Sequence, residues 1–238
     1  MLARATPCLR SMLHLLDNIF WHALSGPQAS FATGSGDARR YARGFSPIVA
    51  FADAQQPDFA NLAPHCAASE HFYCDGWSGP VPREWTVELE STMLKMIWDG
   101  PLPDTDEAPD AMRLDARHAA QAVALAELTH PGPFGLRTVE LGDYFGYFEG
   151  ERLIAMAGER SCAGTLREIS GVCTHPDFQG RSLARRLTAK LIRRQMLRGE
   201  RPFLHVMRDN IGARQLYGRM GFRDYRESVV RVIAPAER

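Results

Sequence analysis

The chain has 238 residues, 45% hydrophobic and 24% charged, enough apolar material for one large domain or two small ones. Its 28 Lys+Arg are balanced by 28 Asp+Glu, so no global field draws it to nucleic acid or an acidic membrane, and neither is expected as a partner. Five cysteines at irregular spacing (Cys8, Cys66, Cys74, Cys162, Cys173) argue against a disulfide framework and for a reducing compartment, the cytoplasm, and no stretch approaches the roughly 20 apolar residues that span a bilayer.

Residues 1–11 read as a disordered N-terminal extension. Leu13, Leu16, Phe20 and Leu24 then recur at three- and four-residue spacing, the pattern of a helix packed on the body. The run "GPQASFATGSGDARRYARG" follows no evident strand and reads as a surface loop rather than a phosphate site. With the apolar runs "PIVAFAD" and "WTVELESTMLKMIWD", residues 12–98 are expected to form an α/β domain that carries no catalytic constellation. His65, Cys66, His71 and Cys74 cluster there, but their spacing fits no standard ligand pattern, so no metal is expected. Phe72, Tyr73, Trp77 and Trp85 are available to line a substrate site, although aromatics at this density more often fill a core.

Between Asp99 and Ala111 lie three prolines and five acidic residues. Residues 99–110 therefore read as a linker, and a second domain is expected over 111–238. "AMRLDARHAAQAVALAELTH" starts as a short strand and becomes an alanine-rich helix. "GYFEGERLIAMAGER" is two apolar runs around Glu-Gly, a hairpin pattern. "LREISGVCTHP" is a further strand, residues 180–198 a long helix, "PFLHVM" a strand, "NIGARQLYGRM" a last helix and "GFRDYRESVVRVI" a closing strand. The order makes a mixed-sheet α/β (α+β) fold.

Two stretches carry chemistry. In "FQGRSLARR", a glycine and several arginines stand where a strand hands over to a helix. Unpaired N–H groups and the positive dipole end make a helix start an anion cradle, and Arg181 and Arg185 in the first turn oppose that dipole unless an anion offsets them. Arg193, Arg194 and Arg198 read as a solvated face. In "NIGARQLYGRMGF", Asn210 can cap the helix start, Gly221 can end it in a left-handed conformation, and Tyr217 falls on the buried face with Ala213 and Leu216. Tyr217 suits a core role and is also placed as a proton donor. Cys173 lacks an activating partner and reads as a small core residue; His205 reads as a buried, satisfied histidine, and His175 as the start of a turn.

Together these residues resemble the GNAT acyltransferase superfamily over about residues 111–230. Gln179-Gly180-Arg181-Ser182-Leu183-Ala184 is similar to the loop with which that family grips the pyrophosphate of coenzyme A, except that Ser182 stands where glycine is usual; Ser182 needs no glycine if it keeps helical φ and ψ. The pattern Asn-x-x-Ala-x-x-Leu-Tyr-x-x-x-Gly-Phe at 210–222 resembles the family's C-terminal signature. The layout of 12–98 beside 111–238 is similar to glycine N-acyltransferase-like proteins, whose N-terminal half is a degenerate GNAT-like domain that could wall the acceptor site. The resemblance implies acetyl-CoA or another acyl-CoA as co-substrate, no metal, and transfer of the acyl group to a primary amine of a small molecule. It implies that Val172, Cys173 and Thr174 hold the pantetheine arm by main-chain bonds at a splayed bulge. Gln179 through Arg185, with Asn210 and Tyr217, complete the cofactor site. Tyr217 is then the acid for the leaving thiolate. Glu168, where some members carry a catalytic glutamate, is a base or else a salt-bridge partner of Arg160 or Arg167. The protein is expected to be a monomer or a homodimer; a non-catalytic acyl-CoA sensor is the alternative.

Overall fold

The computed structural model describes residues 12–236, and the expected 1–11 extension lies outside them. Eleven strands form one mixed sheet: β1 (Ala32–Thr33), β2 (Ala38–Tyr41), β3 (Ile48–Phe51), β4 (Phe72–Asp75), β5 (Trp85–Trp98), β6 (Met112–Leu114), β7 (Tyr144–Glu149), β8 (Arg152–Ala163), β9 (Leu166–Thr174), β10 (Arg201–Met207) and β11 (Phe222–Pro235). Their spatial order is β1-β2-β3-β4-β11-β5-β10-β9-β8-β7-β6. The helices are α1 (Ile19–Leu24), α2 (Phe59–Leu62), α3 (Ala119–Thr129), α4 (Leu183–Leu197) and α5 (Ile211–Met220).

Period-two alternation sorts the side chains of the central strands between two cores. Leu204 and Val206 of β10 and Met96 of β5 join Leu187, Leu191 and Tyr217 of α4 and α5, whereas Phe203 and Ile97 join Leu16, Ile19, Phe20 and Leu24 of the N-terminal helical segment. Helix α3 packs its Ala122, Leu125 and Ala126 on Tyr144, Met156 and Cys173. The expected N-terminal helix is two pieces, a 3-10 turn over Leu13–Asn18 followed by α1. The glycine-rich run expected as loop holds β1 and β2, an antiparallel pair. Phe72, Trp77 and Trp85 pack into the core beside α2.

Strand β5 precedes the proline-rich segment in sequence yet lies between β10 and β11, antiparallel to both. Residues 99–110 thus join two strands of one sheet. They are strapped along α4: Asp106 pairs with Lys190 at 2.5 Å, Glu107 with Arg185 at 2.5 Å and Asp110 with Arg186 at 2.8 Å, and Ala108 is fully buried. Charge complementarity holds down a segment with few apolar anchors. Arg194 and Arg198, expected to be solvated, both pair with Asp143. On β5, the buried Lys95 ammonium bonds Asp75 at 2.8 Å and the Leu16 carbonyl at 2.9 Å, and Ser228 donates to Asp75 at 2.6 Å. Lys95 therefore ties strands β4, β5 and β11 to the N-terminal segment.

Candidate active site

The parallel ladder between β9 and β10 runs from Leu166 paired with Arg201 to Ile169 paired with Leu204, and stops there. Both strands continue, β9 to Thr174 and β10 to Met207. Gly171, at φ +63, marks the parting; a Cβ there would meet Phe134 and Tyr144 at 3.2 and 3.3 Å, so only glycine lets these rings close on the bend. The pairing of β9 with β8 is irregular over the same stretch, between Met156/Cys173 and Gly158/Ser170. Beyond Ser170 the β10-facing main-chain groups of β9 have lost their ladder partners, and such groups need acceptors and donors from elsewhere.

Past the end of β9 the chain turns through a 3-10 segment, Pro176–Phe178, in which His175 accepts a hydrogen bond from the Asp177 N–H. Helix α4 then begins at Leu183, three residues later than the expected start at 180. The residues between form a loop in which Gly180 holds φ +78 and Ser182 holds φ +60, ψ 16. Ser182 does not meet the condition under which it would need no glycine: it adopts a left-handed backbone, which costs a non-glycine residue about 1–2 kcal/mol, and its side chain makes no cap. Alternating handedness turns successive N–H groups to one side, the geometry of an anion nest. The N–H groups from Gly180 through Arg185 find no acceptor among the described residues; the first backbone bond is Arg186 N–H to Ser182 O at 3.0 Å. The protein leaves the cradle open.

The cradle lines a cleft of about 600 Å³. Val172, Cys173, Thr174, Gln179 through Arg185, Asn210 and Tyr217 all line it, so every residue expected to touch the cofactor is brought to one place. Arg181 stacks over the Phe178 ring at 4.8 Å, whereas Arg185 reaches the cleft while pairing with Glu107. Asn210 caps α5 by accepting the Ala213 N–H at 3.1 Å, and Gly221 ends that helix at φ +118. This cap sets the helical phase that turns Tyr217 inward. No hydrogen bond to its hydroxyl is found among the described residues, and burial raises its pKa, so the phenol stays protonated.

Glu168 is not in the cleft. Its carboxylate is buried on the other sheet face, bonded by Arg160 at 2.6 and 3.1 Å, by the Ser161 N–H at 3.1 Å and by His205 Nδ1 at 2.7 Å. Burial alone would raise its pKa, but the Arg160 guanidinium and His205 overcome that and hold it well below the ordinary carboxylate value. An acid so stabilised as the anion is a poor proton acceptor, and the arrangement is the salt-bridge alternative, buried rather than on the strand surface. His205 stacks on Phe20 at 5.0 Å; it is buried as expected, but its Nε2 lacks a partner among the described residues. Burial pushes the Cys173 thiol up to about 11, which removes it as a nucleophile.

Several cleft residues escaped the sequence reading, chiefly Thr129, His130, Pro131 and Arg219. His130 closes α3 at φ 49, ψ 52; the helix-ending "THPG" was the available signal. Among the described residues no group of histidine, cysteine and acidic side chains could hold a metal ion, and no helix is long and apolar enough to cross a membrane.

Residues 144–232 match the family described as FR47-like protein. The chain is similar to a GNAT-family acetyltransferase structure from Novosphingobium aromaticivorans, with 34% identity, 94% of this chain and all of that one covered, and a TM-score of 0.83. It also resembles in fold a GCN5-related N-acetyltransferase from Kribbella flavida (15% identity, 92% and 95% covered, TM-score 0.60) and a GCN5-related N-acetyltransferase-like protein from Streptococcus suis (15%, 92% and 92%, TM-score 0.57). None of the curated proteins matches.

Proposed function

Because this chain belongs to the GNAT family of acetyltransferases, we propose that it is an acyl-CoA-dependent N-acyltransferase that moves an acetyl group from acetyl-CoA to a primary amine of a small molecule. The observation that carries the reading is the open run of N–H groups from Gly180 through Arg185 on a cleft that Tyr217 also lines. Those groups, at the positive end of a 15-residue helix, suit a diphosphate. With nothing within 4 Å of a Cβ placed on Gly180, the loop has room for it. The unpaired edge of β9 at Val172–Thr174 offers main-chain bonds to a pantetheine arm, and an N–H there suits a thioester carbonyl as negative charge develops on its oxygen.

The transfer needs a neutral amine for attack and a proton for the departing sulfur. Tyr217 is suited to the second task, since its phenol is protonated, buried in the cleft wall and free of competing bonds. Glu168 is withdrawn from the first by its ion pair; it acts as a structural brace beneath the parting strands.

Amine-dependent release of free thiol from acetyl-CoA, followed with a thiol reagent against a pooled library of small amines, tests the reading. Turnover on at least one pool is expected. Tight binding of CoA with no thiol release on any pool would make the protein a sensor of acyl-CoA instead.

A further inference from the structure

A second, smaller cavity of about 180 Å³ adjoins the cleft, with Tyr73 of β4 and Phe134 among its walls. Among the described residues, His130 alone lines both spaces. It stands beside the parted strand: helix α3, which His130 ends, packs Leu125 and Ala126 in one core with Cys173 of β9, and Phe134 packs on that core. Phe134 packs against Gly171, where the strands part. The small cavity therefore opens where an acyl group held by the parted strand would lie.

Chemistry narrows the choice of proton acceptor. The cleft's arginines, Arg181, Arg185 and Arg219, offer guanidinium donors and no acceptor. Cys173 and Tyr217 hold their protons, and Glu168 is on the other face of the sheet. That leaves the imidazole of His130, a side chain type suited to proton exchange at physiological pH. Its backbone is an outlier as well. At φ 49 and ψ 52 it occupies the left-handed region, uncommon outside glycine, with its N–H held by the Ala126 carbonyl at 2.8 Å and Pro131 barring further helix. Strained residues of this kind concentrate at functional sites.

We propose that His130 is the general base of the transfer and that the cavity between Tyr73 and Phe134 seats the acceptor, a small primary amine bearing a flat apolar group. The inference rests on the acyl-transfer reading. His130 takes one proton from the bound ammonium and passes it to solvent. The neutral nitrogen attacks the thioester carbon; the C–N bond forms, the C–S bond breaks, and Tyr217 gives its proton to the sulfur. The second proton shed by nitrogen restores the phenol, so one amide, one thiol and one proton leave. The other titratable or charged groups that line the two spaces, among the described residues, are Glu127 and Tyr73 in the small cavity, and Cys173, Tyr217 and the three arginines in the cleft.

His130→Gly is the decisive variant, because the left-handed backbone favours glycine and the fold is kept. For 2-phenylethylamine at neutral pH, kcat/KM is expected to fall roughly 100-fold or more, with CoA affinity within twofold of wild type and part of the rate restored by added imidazole. Unchanged turnover, or a loss that imidazole does not rescue, overturns the assignment of the base. Independently of turnover, the 13C-labelled imidazole resonance of His130 should shift when 2-phenylethylamine is added to the CoA complex, and less with n-butylamine; no shift with either overturns the seat. A wild-type enzyme inactive on every amine would instead sink the acyl-transfer reading, while the resonance still reports the seat.

Discussion

Replacing Gly180 by glutamate probes the cradle most directly. Gly180 holds φ +78, and a Cβ there meets nothing within 4 Å, so a substitution clashes with nothing and its effects are conformational and electrostatic. The left-handed backbone costs a side chain about 1–2 kcal/mol, which favours rearrangement of the loop that aligns the N–H groups. A carboxylate about 5 Å from a diphosphate adds repulsion of about 0.8 kcal/mol per charge pair in a water-like medium and about 3 kcal/mol at an effective dielectric of 20. Together these amount to about 2–5 kcal/mol, or a Kd raised roughly 30- to 4,000-fold. Calorimetric titration with CoA at two salt concentrations reads both parts, because only the repulsion is screened. Gly180→Asn, whose side chain tolerates the left-handed region, should bind nearly as wild type, and Gly180→Ala should fall between. A glutamate variant within threefold of wild-type affinity would show that the diphosphate lies elsewhere.

Tyr217→Phe should lower turnover roughly 100-fold or more while CoA affinity and thermal stability stay near wild type, since the hydroxyl that is lost makes no hydrogen bond among the described residues; steady-state kinetics beside calorimetry check this, and unaltered kcat would remove Tyr217 from its role. Lys95→Met strands the buried Asp75 carboxylate and should cost about 3–5 kcal/mol in urea unfolding, most of it recovered in Lys95→Met/Asp75→Leu, because breaking a buried pair is far worse than replacing it. Equal losses in the single and double variants would mean the seam is not held by this pair. The Glu70 carboxyl is held down from 4.5 to about 2, first by its hydrogen bonds from Arg40. A depressed carboxylate stabilises the fold above its unfolded value and loses that contribution as pH falls through the folded one. Thermal melts of wild type and Glu70→Gln should therefore differ by a constant amount above about pH 4.5 and converge towards pH 2; a gap unchanged down to pH 2 would contradict the ion pair.

The sequence by itself determined the cleft's ingredients, because the signals there are local. Asn210, Tyr217 and Gly221 follow from one helix's cap, phase and termination, and the helix start after Gly180 follows from turn chemistry; all need only a few residues of context. Three things depended on tertiary structure. The destination of β5 was one: whether Trp85–Trp98 pairs within its own half or between β10 and β11 is a matter of long-range strand partners, which periodicity does not encode. A second was the fate of charge. The acidic run at 99–110 read as a linker, and only the fold laid it along Arg185, Arg186 and Lys190 of α4, just as only burial turned Glu168 from a possible base into the anion of an ion pair. The third was His130, unremarkable at the end of an alanine-rich helix, which the turn before Pro131 sets in the wall between two cavities built from distant segments. Backbone conformation is written in neighbouring residues; protonation and access are decided by what the rest of the chain packs around them.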